Sequence, residues 1–280
     1  MNTPVPAPTP LAARAEAFFR RLQEDIIKRF EQLEGGATFT RKPWQKPAGE
    51  SLQGGGVMAT MHGKVFEKVG VNFSCVGGRF SEKFANEIPG ATDSGGQFWA
   101  SGVSLVAHMA NPRCPSVHFN VRRIETGKSW FGGGADLTPT FEYAEDTAHF
   151  HNTLKAACDG YREGAYAEYK KWCDEYFFIP HRNEARGVGG IFFDYVNTDP
   201  EADFAFVQAV GAAFLQAFTP LVEKRRNEAF SEADKEAQLI KRGRYAEFNL
   251  LYDRGTRFGL QTGGNVEAIL MSLPPMARWP

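Results

Sequence analysis

Val117-His118-Phe119-Asn120-Val121-Arg122 alternates apolar and polar residues. In an extended strand, a period of two sends His118, Asn120 and Arg122 to one face and Phe119 and Val121 to the other. Such a row of imidazole, amide and guanidinium is costly to bury without partners, so it must face water or line a polar site. His108 falls on a neighbouring expected strand, joined to the first by Asn111-Pro112-Arg113-Cys114-Pro115, a turn that can set His108 and His118 side by side. His149 and His151 are two apart in a helical stretch, about 200° round the axis, and cannot both ligate one metal from there. His108, His118, His151 and His181 can be imagined around one metal, but no HExxH or comparable ligand spacing supports it.

Glycines cluster at 54–56, 132–134 and 263–264, without the GxGxxG or GxxxxGK spacing that cradles a nucleotide phosphate. Because glycine lets backbone approach a ligand closely, Gly132-Gly133-Gly134-Ala135-Asp136 reads as a loop delivering Asp136 to a bound molecule, or else as a bulge or turn with Asp136 as a solvated cap. Arginines gather where loops meet expected strands. The guanidinium fork binds carboxylates bidentately, which suits a polycarboxylate ligand. For most of these arginines surface solvation is the simpler reading; Arg122 and Arg186 stand out by their polar-strand and glycine-flanked contexts.

The elements that must hold these groups can be read from periodicity. After a proline-rich stretch expected to be a mobile tail (residues 1–10), Leu11, Ala15, Phe18, Leu22, Ile26, Phe30 and Leu33 recur at helical spacing and Gly35-Gly36 ends the run. Short β-rich runs follow from 54 to 78, with further strands expected at 103–109, 116–124 and 129–131. Helical patterns cover 145–158 and 161–178, and 190–196 is strand-like. Asp199 caps a helix from Pro200 to about Phe218, another spans 231–242, and the chain is expected to close with strands over 246–253 and 258–262 and a helix from Val266. Strands on short turns with helices inserted in groups imply an α+β fold, an antiparallel or mixed sheet covered by helices, in one domain over residues 11–280.

Composition narrows the function. With 280 residues, 42% of them hydrophobic, the chain can bury a large core. Its 32 Lys plus Arg against 33 Asp plus Glu leave a net charge of -1, so nothing in the global charge draws it to nucleic acid or an anionic membrane. Apolar runs fall short of the roughly 20 residues of a membrane span. A cytoplasmic protein is expected, with Cys75, Cys114, Cys158 and Cys173 as reduced thiols. The 13% aromatic content suits flat apolar walls as well as an ordinary Phe-rich core.

The strings SGVSLVAHMANPRCPSVHFNVR (101–122), WFGGGADLTP (130–139), KKWCDEYFFIPHRNEARGVGGIFFD (170–194) and GRYAEFNLLYDRGTRFGLQTGG (243–264) closely resemble the oxygen-dependent coproporphyrinogen III oxidases, from about residue 15 to the C-terminus. The resemblance implies a large flat antiparallel sheet sandwiched between helices on both faces. It implies a homodimer joined through about residues 245–280. The reaction would convert coproporphyrinogen III to protoporphyrinogen IX with O2 as oxidant and no organic cofactor, releasing two CO2 and two H2O2. It implies substrate contacts at Ser104, Asn120, Val121, Arg122, Gly263, Gly264 and Asn265. His118 is matched to a proton donor, Asp136 to an acid engaging the pyrrole nitrogens, and Arg122 and Arg186 to propionate anchors. Some bacterial members are assigned a divalent metal at positions matching His108, His118, His151 and His181; an essential metal is not expected here. Many members carry Arg where this chain has Asn265, an amide that can hydrogen-bond a carboxylate but not ion-pair with it.

The residue types suit this chemistry. An electron-rich macrocycle with four carboxylates can react with O2 without a protein-bound electron relay, so the protein must orient it and exclude stray oxidation. The rival classes are a histidine-metal hydrolase or oxygenase, which would need stoichiometric metal, and a tetrapyrrole-binding module, which has no need of the row His118, Asn120, Arg122.

Overall fold

The computed structural model describes residues 8–47, 52–80, 85–261 and 264–280. Helix α1 (Pro10–Glu34) starts where Thr9 accepts from the Ala12 amide and stops at Gly35, whose φ of 73° suits glycine. Residues 1–7 of the expected tail lie outside the described residues, and Pro10 already belongs to the helix.

A meander of six antiparallel strands follows: β1 (Thr40–Gln45), β2 (Leu52–Met61), β3 (Phe66–Arg79), β4 (Gln97–Met109), β5 (Ser116–Glu125) and β6 (Ser129–Thr138). The chain then leaves the sheet through α2 (Ala144–Asp159) and α3 (Ala165–Tyr176). A two-stranded ribbon, β7 (Phe178–Ile179) and β8 (Glu184–Ala185), comes next, and β9 (Gly189–Val196) returns antiparallel to β6 as the seventh strand. Helices α4 (Pro200–Arg225), α5 (Glu232–Leu251), α6 (Arg254–Gln261) and α7 (Val266–Leu270) complete the chain. The α+β class expected from the sequence holds, and the sheet is wholly antiparallel.

One sheet face is apolar. Val71, Phe73, Leu105, Phe119, Val121, Phe131, Ala135 and Phe193 are buried in one core with Phe19, Ile26 and Phe30 of α1 and Val207, Phe214 and Phe218 of α4. Stacked rings, such as Phe119 on Phe214 at 4.4 Å, fill the space between layers. Helix α4 has the length and apolarity to cross a membrane, but 61% of its most apolar window is buried inside the protein. On the opposite face a smaller cluster joins Cys173, Phe177, Phe192 and Phe248, while Asn72 reaches the Ala268 carbonyl and His108 the Ser272 carbonyl of the C-terminal segment.

Three local expectations change. Strand β6 does not end at Phe131 but runs through Gly132–Gly134 and Asp136 to Thr138, and none of these glycines has positive φ. They are glycine because β6 lies between β5 and β9: a Cβ on Gly133 would come within 2.6 Å of the Asn120 carbonyl and 2.9 Å of the Phe193 ring. Residues 246–251 of the expected strand at 246–253 are instead the last turns of α5. Ser231 and Asp234 form a reciprocal capping box that starts this helix. Arg242, Tyr245, Ala246 and Asn249 then bury one helical stripe. Residues 258–261 of the next expected strand are likewise helical, in α6, and Thr262 lies outside the described residues.

Candidate active site

Alternation along β5 does what its sequence implies. Val117, Phe119 and Val121 are buried in the core, while His118, Asn120 and Arg122 are partly exposed on the other face. Antiparallel register then decides the neighbours. His118 pairs with Val106 and Asp136, Asn120 with Ser104 and Gly134, and Arg122 with Gly102 and Gly132. Three of these six partners are glycines: both neighbours of Arg122 lack a side chain, and Asn120 is flanked only by the small, exposed Ser104. The result is a polar floor able to take a broad ligand.

Behind the floor sits a buried charge chain. Asp136 is 1% exposed; its Oδ1 is 2.8 Å from His118 Nδ1 and its Oδ2 accepts from Arg186 at 2.7 Å. Burial pushes the Asp136 carboxyl up, but the Arg186 guanidinium and the His118 hydrogen bond outweigh it and hold the carboxyl below its ordinary range. An ionised Asp136 can only accept, so His118 Nδ1 carries the proton and Nε2 turns outward, 3.3 Å from the Asn120 amide nitrogen. Arg186 is equally enclosed: it also donates to Asn249 Oδ1 at 3.0 Å, and its guanidinium lies 4.0 Å from the Phe177 ring and under 5 Å from Tyr245 and Phe248.

Several of the expected site residues lie away from the exposed floor. Asp136 presents no free oxygen to a ligand, and Arg186, 2% exposed, has its charge spent on Asp136. Both stand behind His118 rather than on the floor. Val121 is fully buried on the apolar face, because consecutive residues of a strand point opposite ways. Gly263 lies outside the described residues. Gly264 bonds back to the Gly259 carbonyl, and Asn265 caps α7 by accepting from Ala268 N; among the described residues no hydrogen bond ties either one to the floor.

Arg122 is held by a partner that sequence reasoning missed. It donates to Asn120 Oδ1 at 2.9 Å and to Asp194 Oδ2 at 2.7 Å. Asp194 is itself fixed at Oδ1 by Trp130 Nε1 and by the Tyr195 amide. Gly132 makes this crossing possible, since a Cβ there would meet Asp194 Oδ1 at 2.5 Å and the guanidinium of Arg122 at 3.0 Å. The lone acid in the otherwise apolar run GIFFDYV was the available signal for Asp194. Asn249 had none once its segment was read as a strand.

The four histidines matched to a metal do not converge. His108 is on the same face as His118, displaced by two residue pairs, and its Nε2 donates to the Ser272 carbonyl; burial holds its pKa down to about 3. His151 lies between the Val188 carbonyl and Tyr166, and His181 between Tyr252 and Glu247. No three His, Cys, Asp or Glu side chains gather among the described residues, so this arrangement does not fit a shared metal ion.

A family profile described as coproporphyrinogen III oxidase matches residues 14–280. The chain belongs to the coproporphyrinogen III oxidase family. Curated relatives agree. A protein named oxygen-dependent coproporphyrinogen-III oxidase from Rickettsia bellii (strain RML369-C) is 54% identical over 264 residues, covering 94% of this chain and 92% of the relative. A protein of the same name from Rickettsia africae (strain ESF-5) is 52% identical over 273 residues, covering 94% and 96%.

Proposed function

We propose that this chain oxidatively decarboxylates two propionates of coproporphyrinogen III to vinyl groups, giving protoporphyrinogen IX with O2 as oxidant, in haem biosynthesis. Each turn converts a propionate and one O2 to a vinyl group, CO2 and H2O2. The observation that carries the reading is the row His118, Asn120, Arg122 on a glycine-paved sheet face in a chain of this family. The floor gives a flat macrocycle room, and its polar groups match a rim of carboxylates.

His118 is the proposed catalytic residue: Nε2, oriented by Asp136 through Nδ1, faces the floor and can take up or return the proton moved as a propionate is oxidised. Asp136 is a positioning residue that also stabilises the imidazolium while His118 holds a second proton, and Arg186 keeps Asp136 ionised. Arg122, with Asn120 and Ser104 beside it, is the proposed propionate anchor; Asn120 and Asp194 use two of its N–H groups and leave the others for a carboxylate. No step is assigned to a metal, because the imidazoles named for one have separate partners.

We further propose that residues 11–280 act as one domain, in a cytoplasmic homodimer joined through the C-terminal segment. Support comes from the apolar side chains exposed there: Leu250, Leu251, Leu260, Val266, Met276 and Trp279. The activity is tested by mixing protein and coproporphyrinogen III without O2, then admitting O2, with and without chelator. Product after O2 in both arms is expected. Equal turnover under strict anaerobiosis would refute the oxidase reading, and activity lost in chelator and restored by one added metal would refute the metal-free one.

A further inference from the structure

Two residue pairs beyond His118 and Asp136, Ser116 of β5 pairs with Thr138 of β6, and α5 crosses close by. Between strands and helix lies a chamber of about 10 Å³, room for one water-sized particle, lined by His108, Ser116, Thr138, Lys241, Arg242 and Tyr245 among others. Four of these side chains are more than nine-tenths buried: His108 is 1% exposed, Tyr245 2%, Arg242 3% and Thr138 5%. Each carries a buried polar atom without a hydrogen-bond partner: His108 Nδ1, Tyr245 OH, Thr138 Oγ1, and both Nε and NH1 of Arg242. Leaving one such group unmet costs about 1–3 kcal/mol, and four side chains with unmet groups line one small space.

The chemistry of the lining selects the guest. Arg242 and the two hydroxyls offer hydrogens. His108 Nδ1 is the acceptor among these atoms, because Nε2 carries its proton toward Ser272, and a Ser116 or Thr138 hydroxyl can turn to serve it. Charge points the same way. Arg242 is bound through NH2 to Glu67, but Glu67 is shared with Lys235, and Lys241 adds a further cation at the lining. Tyr245 stays a donor, its phenol pushed up to about 12 by burial. We propose that this chamber binds one small monovalent anion of halide size, which ties Arg242 and Tyr245 of α5 to the ends of β5 and β6, two residue pairs from the His118–Asp136 pair. The site is distinct from the floor and its occupant is not a substrate group.

The test uses protein exchanged into sodium gluconate, an anion too large for the chamber. Bromide is titrated at constant ionic strength, and crystals of the same protein are soaked in bromide. Expected are a saturable, bromide-specific rise in Tm of roughly 2–4 °C at a few-fold excess over Kd, and an anomalous bromide peak within hydrogen-bonding reach of Arg242 and Tyr245. Tyr245→Phe keeps the ring that packs on Arg186 and Thr138→Val keeps the strand shape; each should fold and lose most of the bromide response. An ordered water only, with no difference between bromide and gluconate, overturns the proposal. So does a bromide response retained in full by both variants.

Discussion

Asp136 is tightly constrained, with both oxygens engaged and almost no exposure. A reading confined to the sequence would have Asp136→Asn fold normally and lose only turnover. The structure demands more, because Asn leaves the Arg186 guanidinium buried without its counter-charge. Asp136→Asn is expected to cost about 3–5 kcal/mol of stability and to lower kcat by roughly 10², as the orientation and charge behind His118 are lost. Removing both charges, as Asp136→Leu with Arg186→Met, should destabilise less than the single change; denaturant melts of the three variants check the coupling. Arg122→Ala should behave differently and chiefly raise KM, since a carboxylate anchor binds substrate and transition state alike. Steady-state kinetics showing a normal KM would remove Arg122 from substrate binding.

At the scale of elements, glycine placement in the sheet separates function from folding. A Cβ on Gly132 meets only the tips of Arg122 and Asp194, which can move apart, whereas one on Gly190 would sit 1.9 Å from the Ala135 carbonyl in the β6–β9 ladder. Gly132→Ala should therefore stay folded and bind substrate several-fold more weakly, while Gly190→Ala should fail to accumulate as folded protein. Circular dichroism and KM measured on the two proteins distinguish these outcomes. Unchanged KM in Gly132→Ala would mean that the Arg122–Asp194 crossing does not matter for binding. Helix α5 matters equally at this scale. Through Tyr245, Phe248 and Asn249 it closes over Arg186, so a segment remote in sequence builds the back wall of the site.

For the whole molecule, the exposed C-terminal apolar side chains are the surface that the proposed homodimer would cover. Leu250 and Leu251 are each at least half exposed at the end of α5, close in sequence to Tyr252, the partner of His181. If they form the homodimer contact, Leu250→Glu with Leu251→Glu should yield a monomer by sedimentation at micromolar concentration, with reduced activity. A variant that remains dimeric would move the interface elsewhere.

The sequence by itself determined the local periodic features. The α1 stripe from Leu11 to Leu33 and the two-faced β5 follow from spacing alone, because each needs only one buried side to be legible. The family could be read from long matching strings such as HFNVR and WFGGGADLTP, and with it the expected activity. Tertiary structure decided everything that depends on register and on residues far apart. Gly132–Gly134 look like a loop until β5 and β9 close in on both sides. Residues 246–251 carry apolar text that suits strand or helix, and the capping box fifteen residues upstream settles which. Asp136 meets Arg186, fifty residues away, and Arg122 meets Asp194, seventy-two away. No local pattern encodes such pairings, because they arise from strand order and helix packing. That is why the residue types of the candidate site were legible in advance, while their division into an exposed row and a buried charge chain was not.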